Sequence, residues 1–239
     1  MASFQDSVDS RFPGAIDEHA FVRQSYDALV AHGFTAENTI ACVGVCRDEA
    51  CRPLVWAVRD TWGEAFNFSS LGGFLTLGTS GFLAAQQHAP VVGGRERYVY
   101  FVMPHIGIDA NGELGRVVRS GRQGSSFACG ALTALLAEKQ SGGLNLDIDP
   151  DNIEYSLLKR HLASQLDVDV VPDIAALTIS MAHLVHEELA RMISLTVDVN
   201  SADYAVLTGV QIHRPGGGAM IWVDRKYACV EGSQHQLHF

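Results

Sequence analysis

Three side chains that can hold a zinc ion stand at positions where a folded chain would bring them together. Cys46 ends the apolar run 39–45, His105 closely follows the apolar run 98–103, and Cys129 stands at the start of a helix-forming stretch. Strand ends and helix N-termini meet at the binding crevice of an open α/β sheet. Two cysteines and one histidine leave zinc a fourth position for water. The pattern therefore predicts a zinc enzyme.

The same three residues also fit a purely structural role. Buried cysteine commonly behaves as a small apolar side chain, so Cys46 and Cys129 could pack in the core while His105 caps a strand. Asp48, two residues after Cys46, favours the metal site, because its carboxylate could accept a hydrogen bond from zinc-bound water or fill the fourth position itself. It could also cap the helix that follows, and the two roles are compatible.

The elements that must position these residues are predicted from apolar spacing and turn residues. The apolar runs 39–45 and 98–103 are predicted to be buried strands. Between them lies a glycine-rich segment, 68–85, which either lets the backbone approach a ligand or simply packs on the sheet. The sequence predicts an α/β fold in one continuous domain, residues 1–239, with an N-terminal helical segment at about 1–34. Helices are predicted at 17–32, 52–66, 151–166 and 173–193, a further strand at 195–199, and a hairpin from 204–213 and 219–230.

The composition excludes several classes of protein. Apolar residues make up 47% of the 239 and charged residues 18%, which is typical of a folded core rather than of disorder. A net charge of −10 argues against nucleic-acid binding, which requires a basic surface. No apolar run approaches the roughly 20 residues that span a bilayer. The acidic N-terminus resembles neither a secretory signal nor a transit peptide, so we expect a cytoplasmic protein, in the bacterial cytosol or, once processed, in an organelle stroma.

The remaining cysteines and histidines supply weaker candidates. Cys42, Cys46 and Cys51 crowd one segment, and we expect free thiols in a reducing compartment, with a redox sensor built on these three as an alternative. His183 and His186 are spaced i,i+3, unlike the i,i+4 histidines of zinc proteases, and are expected on a solvated helix face. The chain has no P-loop, nucleophile elbow or dinucleotide-binding glycine pattern, so neither ATP nor NAD is expected.

Four segments together resemble one known family, the limiting-CO2-inducible B/C proteins, which are also called theta-class carbonic anhydrases. They are VCRDE at 45–49, the stretch 71–90 that overlaps the glycine-rich segment, MPHIGI at 103–108 and SFACGA at 126–131. The resemblance covers about residues 35–136. It implies a fold similar to β-carbonic anhydrases, a single domain with a mainly parallel central sheet flanked by helices and a C-terminal hairpin.

The resemblance also implies the residues of the site. The zinc ligands would be the same two cysteines and histidine, and Asp48 matches the acidic member of the Asp–Arg dyad of β-carbonic anhydrases. The usual dyad arginine lies two residues after the aspartate, where this chain has Ala50. Arg47 is the predicted dyad arginine because it belongs to the matching VCRDE segment, and Arg52 is the second candidate.

The function predicted from these observations is the reversible hydration of CO2 to bicarbonate and a proton. Zinc lowers the pKa of bound water from 15.7 toward about 7, so that hydroxide is available near neutral pH. Asp48, held ionised by an arginine, would accept the hydrogen bond of the remaining proton. Leu71, Phe74 and Phe82 are expected to form a dry wall for CO2.

The resemblance leaves a rival hypothesis open, because some members of the family are catalytically silent. In that case the protein is a zinc-stabilised scaffold, or a bicarbonate-responsive partner in a CO2-concentrating assembly, and the fourth zinc position is closed. We expect a homodimer or larger homo-oligomer, since β-carbonic-anhydrase sites are assembled at dimer interfaces and the central strands are apolar on both faces. The N-terminal helix and the segment 68–85 are the predicted interface.

Overall fold

Helices and short strands alternate along the chain before a long hairpin near its end. The computed structural model describes residues 3–119, 121–166 and 170–239. The helices are α1 (Phe4–Arg11), α2 (Glu18–Val30), α3 (Arg52–Trp62), α4 (Gly78–Gln86), α5 (Gly130–Gln140), α6 (Ile153–Ala163) and α7 (Ile174–Thr196). The strands are β1 (Ile16–Asp17), β2 (Ile40–Gly44), β3 (Ala65–Asn67), β4 (Val91–Val92), β5 (Arg95–Val102), β6 (His105–Gly107), β7 (Arg116–Val118), β8 (Ser125–Phe127), β9 (Ala202–His213), β10 (Ala219–Val230) and β11 (Ser233–Gln236). Within these ranges no helix is both long and apolar enough to cross a membrane.

The sheet is parallel at its centre and antiparallel at one side. Its strand order is β1-β10-β9-β5-β2-β3, and the neighbours β9, β5, β2 and β3 all run parallel. After β5 ends, β6 pairs in parallel with the next stretch of β9, so that His105 lies opposite Gln211. β9 and β10 form the C-terminal hairpin, and both β1 and β11 pair with β10. The predicted mainly parallel central sheet with a C-terminal hairpin is confirmed.

Burial on both faces explains the unbroken apolar sequences of the central strands. Every residue of β2 and the last five residues of β5 are buried. The helices α3 and α7 pack against β2 and β9, respectively, and so cover the sheet. Because parallel strands end at the same edge of a sheet, the segments that follow β2 and β5 meet there. These two segments carry Cys46 and His105.

The N-terminal segment packs against its own chain. α1 begins at a capping box formed by Ser3 and Asp6, and it buries Val8 with Phe12 in a small apolar cluster that includes Ile106 of β6. The helical segment predicted at 1–34 therefore consists of α1 and α2, with residues 1 and 2 outside the described part. By this packing α1 supports β6, the strand that carries His105.

Two predicted element boundaries are wrong. Residues 195–199 do not form a strand, because α7 continues to Thr196 and a turn follows, in which Asp198 accepts backbone hydrogen bonds from residues 201 and 202. The helix predicted to reach residue 66 ends at Trp62, where Gly63 adopts a positive φ of 85°, and the chain then enters β3. The run of Leu, Thr and Val at 195–199 gave a misleading strand signal, and the helix-forming Glu64 and Ala65 gave a misleading helix signal after Gly63.

A separate hairpin of β7 and β8 was not predicted. These strands have three residues each and pair only with one another. Val117 is their one buried residue among those described, so the alternation that marks a half-buried strand is too short to recognise. The hairpin lies between the strand of His105 and the helix that follows Cys129, and it therefore borders the site.

Candidate metal centre

Cys46, His105 and Cys129 converge at the edge of the sheet where the parallel strands end. Cys46 lies two residues past β2 and forms a β-bridge with Ser70, His105 is the first residue of β6, and Cys129 immediately precedes α5. One ligand atom from each of the three residues lies within 4.8 Å of the other two. All three side chains are buried. The structure therefore brings the three predicted ligands together.

The spacing and bonding of these atoms fit a zinc ion. The two sulfur atoms are 3.8 Å apart, and tetrahedral zinc with Zn–S bonds of about 2.3 Å places two sulfur ligands about 3.8 Å apart. Nε2 of His105 is buried and has no hydrogen-bond partner within the described residues. A buried polar atom without a partner is destabilising. A metal ion bound by the two sulfurs would satisfy it.

The two cysteine side chains share a proton. The hydrogen bond with Cys129 lowers the pKa of Cys46, and His105 contributes in the same direction, although burial opposes it. The same hydrogen bond, together with burial, raises the pKa of Cys129. One thiolate and one thiol are therefore favoured in the absence of a cation. Because thiolate is the form that binds metal, a divalent ion would displace the shared proton.

A second histidine lies behind His105. Nδ1 of His105 is 2.8 Å from Nε2 of His213, and this Nε2 is also 3.8 Å from Sγ of Cys51. Burial lowers the pKa of His213 to about 3, so its ring is neutral at ordinary pH. These three side chains are close enough to form a second candidate ligand group. However, two nitrogens on one tetrahedral zinc ion lie about 3.3 Å apart, and the shorter distance indicates a hydrogen bond between the two rings.

Asp48 is held in place by Arg119. The carboxylate caps the short 3₁₀ turn Glu49–Cys51 by accepting a hydrogen bond from the N–H of Ala50 at 3.0 Å, as the sequence predicts. Nη1 and Nη2 of Arg119 donate to its two oxygens, at 2.7 and 2.6 Å. Burial opposes ionisation of Asp48, but the bonds from Arg119 and Ala50 hold its pKa below the ordinary value. The carboxylate is therefore ionised at neutral pH.

Arg119 has no spare donor. Its Nε donates to Oγ of Ser126 at 2.7 Å, Nη1 also donates to Glu49, and Nη2 also donates to the Phe127 carbonyl at 3.1 Å. With the two bonds to Asp48, all five N–H groups of the guanidinium are used. Ser126 and Phe127 belong to β8, and Arg119 directly follows β7, so the hairpin fixes the arginine. The carboxylate of Asp48 cannot rotate without breaking two charge-assisted bonds.

Arg47, the predicted partner of Asp48, forms a different ion pair. Its Nε and Nη2 donate to the carboxylate of Glu154 in α6, at 3.1 and 2.5 Å. Arg52, the second candidate, is exposed at the start of α3. The structure thus brings Asp48 together with Arg119 and places both predicted arginines apart from that pair. Sequence reasoning missed Arg119.

A cavity of about 520 Å³ opens beside Cys46 and Asp48. It is lined by Val45, Cys46, Arg47, Asp48, Arg52, Val55, Trp56, Asn67 and Ser69. Leu71, Phe74 and Phe82, which were expected to form a dry wall, are not among these residues, and the two phenylalanines are buried in the hydrophobic core. The lining is therefore more polar than predicted. Since one water molecule takes up about 30 Å³ of liquid, the cavity has ample room for CO2 or bicarbonate.

The other cysteines and histidines have environments of a different kind. Cys42 and Cys51 are buried, and burial raises the pKa of both thiols, which is typical of unreactive cysteine. His183 is about half exposed on α7, with Nε2 3.6 Å from the carboxylate of Asp224. His186 lies one turn further along, with Nδ1 3.3 Å from the hydroxyl of Thr208.

One protein family matches nearly the whole chain. The sequence model of the limiting CO2-inducible proteins B/C β-carbonic anhydrases matches residues 15–231. The crystal structure of limiting CO2-inducible protein LCIB is similar to this chain, with a TM-score of 0.81, 32% identity and 96% of each chain covered. The crystal structure of PtLCIB4, a homolog of LCIB, gives a TM-score of 0.81 at 23% identity, covering 98% of this chain and 100% of that one. Its H88A mutant gives 0.82 at 23% identity, covering 99% and 98%. No match was found among curated proteins.

Proposed function

The chain belongs to the family of limiting CO2-inducible proteins B/C β-carbonic anhydrases, and on this basis we propose that it is a zinc-dependent carbonic anhydrase, which interconverts CO2 and bicarbonate. One observation carries the proposal. Two sulfurs at zinc spacing lie close to an imidazole nitrogen that has no partner within the described residues, and one of the two cysteines, Cys46, lines a cavity together with the ionised carboxylate of Asp48. A ligand set of two cysteines and one histidine leaves one position of a tetrahedral ion open, as in other catalytic zinc sites.

The three ligands would hold the metal from separate elements of the fold. Cys46, His105 and Cys129 follow β2, begin β6 and precede α5, so the geometry of the site depends on the packing of the sheet edge. A zinc ion held there would supply a water molecule with a pKa lowered toward neutrality, which is the nucleophile that CO2 hydration requires. The substrate and product are CO2 and bicarbonate, and the released proton passes to solvent.

Asp48 would orient that nucleophile. Its oxygens accept one hydrogen bond from Ala50 and two from Arg119, and an ionised carboxylate has about four acceptor sites. The remaining capacity can accept a hydrogen bond from the attacking water and so direct its lone pair toward the carbon of CO2. Arg119 keeps the carboxylate ionised and prevents it from turning toward the metal. We therefore assign the Asp–Arg dyad to Asp48 and Arg119.

Arg47 and Arg52 would attract the product, bicarbonate. Both line the cavity beside the metal ligands, and their positive charge favours bicarbonate over neutral CO2 as the reaction proceeds. Arg47 is exposed and is already paired with Glu154, so its attraction for bicarbonate is weakened by solvent and by its partner. Weak attraction suits a product that must leave quickly.

The expected homodimer and a role in a CO2-concentrating mechanism belong to the same proposal, and the interface expected at the N-terminal helix and the segment 68–85 stays a prediction. Trp56, on the rim of the cavity, is 57% exposed, and Val118 and Phe127 of the β7–β8 hairpin are 57% and 51% exposed. Exposed aromatic side chains beside a site are typical of protein interfaces. Size measurement of the purified protein in solution tests the homodimer.

Stopped-flow CO2 hydration, with zinc content measured on the same samples, tests the proposed enzyme. We expect the wild-type protein to bind one zinc ion per chain and to hydrate CO2, and His105→Ala to lose both. Asp48→Asn should keep zinc and lose most activity. His183→Ala is the matched control, since this half-exposed histidine of α7 should tolerate substitution with zinc and activity retained. A zinc-loaded wild type without hydration activity would favour the scaffold hypothesis instead.

A further inference from the structure

We propose that His213 is a positioning residue of the metal centre, which holds His105 in the tautomer that presents Nε2 to zinc. The inference deepens the proposed function and rests on it. His213 belongs to β9, the neighbour of the strand that begins with His105. It was not singled out by its position in the sequence, and it would not touch the metal or the substrate.

The register of the two strands explains why the rings meet. His105 lies opposite Gln211, and Gly107 lies opposite His213. Residues two apart on a strand face the same side, so the two histidines are diagonal neighbours on one face of the sheet. Gly107, the residue of β6 directly opposite His213 on this face, has no side chain. The ring of His213 can therefore lean toward His105, and the ring centroids lie 5.0 Å apart at an interplanar angle of 71°.

The hydrogen bond decides which nitrogen of His105 is free. Both rings are almost completely buried, with His105 0% and His213 4% exposed. At 2.8 Å, Nδ1 of His105 and Nε2 of His213 must share one proton. When Nδ1 of His105 donates this proton, its Nε2 carries the lone pair that a metal requires. That Nε2 has no other partner in the described part of the chain.

Metal-binding histidines generally donate their second N–H to an acceptor, which fixes the ring and makes the ligand more basic. In this chain the acceptor is a second imidazole, 2.8 Å away, and a carboxylate or backbone carbonyl is the commoner choice. The nearby Cys51 thiol is a competitor, because its Sγ is 3.8 Å from the same Nε2 of His213. A weak S–H donor at that distance should yield to the N–H of His105.

Zinc affinity, measured by competition with a chelator of known affinity, tests the inference. His213→Leu removes the acceptor at similar volume, and we expect zinc binding to weaken by about 10- to 100-fold. His213→Gln places an amide oxygen near the former Nε2 and should restore the affinity to within a few-fold of wild type. Cys51→Ala is the matched control, because it alters the other contact of His213 and should leave the affinity within a few-fold of wild type.

A spectroscopic measurement does not depend on the variants. In ¹⁵N-labelled wild-type protein we expect a slowly exchanging imidazole proton with scalar coupling to nitrogens of both histidines. Absence of that coupling would overturn the inference, even if His213→Leu fails to fold. So would tight zinc binding by His213→Leu, or equal weakening in His213→Gln. Failure of the proposed function would appear in the wild-type protein as absent zinc binding or absent CO2 hydration, whereas failure of this inference alone appears in the imidazole coupling and in the comparison of variants.

Discussion

Replacing Arg119 should remove the hydrogen bonds that orient the carboxylate of Asp48, whereas replacing Arg47 should leave those bonds intact. Arg47 was the arginine predicted from the sequence, but the structure gives Asp48 two hydrogen bonds from Arg119. Arg47 donates its own two bonds to Glu154. A double-mutant cycle between Asp48→Asn and Arg119→Gln, compared with a second cycle that uses Arg47→Gln, measures each coupling directly.

The expected coupling follows from burial. The side chains of Arg119 and Asp48 are 15% and 12% exposed, so solvent screens their two charge-assisted bonds only in part. Hydrogen bonds to charged groups contribute about 1.5–3 kcal/mol each, and partial burial of the ions offsets some of this gain. We expect a coupling of about 2 kcal/mol for Arg119 and Asp48. For Arg47, whose side chain is 61% exposed, we expect less than about 0.5 kcal/mol.

Urea unfolding in the presence of a chelator is the appropriate assay, because it separates the ion pair from metal binding. With a slope of about 2 kcal/mol per molar urea, the coupling corresponds to a shift of about 1 M in the midpoint. The pKa of Asp48 is held below its ordinary value of 3.8 in the folded protein. The stabilisation is therefore fully present above the pKa of the unfolded chain, and it is lost as the pH falls through the folded pKa. The coupling should be constant from about pH 8 to pH 5.

The same variants should also differ from one another in CO2 hydration activity. In zinc-loaded protein, Arg119→Gln should lower CO2 hydration about as much as Asp48→Asn, with little further loss in the double variant. Arg47→Gln should have the smaller effect. A large coupling of Asp48 with Arg47, together with additive effects of Asp48 and Arg119, would refute the assignment of the dyad.

Three further measurements test the energetics around the site. Burial raises the pKa of Glu18 in the folded protein, so ionisation of this carboxyl destabilises the fold as the pH rises above the pKa of the unfolded chain. Glu18→Gln should therefore raise the free energy of unfolding by about 1 kcal/mol at pH 8 and leave it unchanged near pH 4. Glu154→Gln should cost less than about 1 kcal/mol and leave zinc affinity unchanged, because its partner Arg47 is exposed; a larger loss would show that α6 depends on this ion pair. Free zinc at 100 times its dissociation constant should raise the free energy of unfolding by about 2.7 kcal/mol, and an unfolding curve insensitive to zinc would contradict a metal site in the folded protein.

The parts of the fold that sequence reasoning could predict are those with strong local patterns. The unbroken apolar runs of β2 and β5 identify the centre of the sheet, and the glycine-rich turn 214–218 identifies the C-terminal hairpin. The exact limits of elements depend on tertiary packing, which the local pattern does not contain. Residues 195–199 illustrate this, since Leu195 and Val199 favour a strand, but the former lies in α7 with 60% of its surface exposed and the latter lies in the turn that follows.

The candidate site likewise contains residues that local sequence patterns identify and contacts that only the folded chain creates. Cys46, His105 and Cys129 were predictable because each stands at the end of an element, where any open α/β sheet presents its binding residues. Arg119 lies 71 residues from Asp48 along the chain, and His213 lies 108 residues from His105. Both contacts exist only because the fold brings distant strands and loops together.

The arginines before Cys129 show how little their spacing alone could reveal. Arg116, Arg119 and Arg122 are three residues apart and look equivalent in the sequence. In the structure the guanidinium of Arg116 lies 4.4 Å from the ring centroid of Phe127, and only Arg119 reaches the carboxylate of Asp48. The pairing of β7 with β8 makes this selection, and that hairpin had no sequence pattern long enough to be recognised.

The three proposed metal ligands and the carboxylate of Asp48 are therefore held by different parts of the fold. β2, β6 and α5 position the three ligands, with His213 of β9 behind one of them, whereas the β7–β8 hairpin positions Arg119 and, through it, Asp48. A substitution that removes only the side chain of Arg119 should leave the sulfur and imidazole atoms in place, so we expect zinc binding to survive it. The freed carboxylate of Asp48 would then be able to turn toward the metal and close the fourth position. A change in this hairpin alone could thus convert a carbonic anhydrase into a zinc-stabilised scaffold of the same fold.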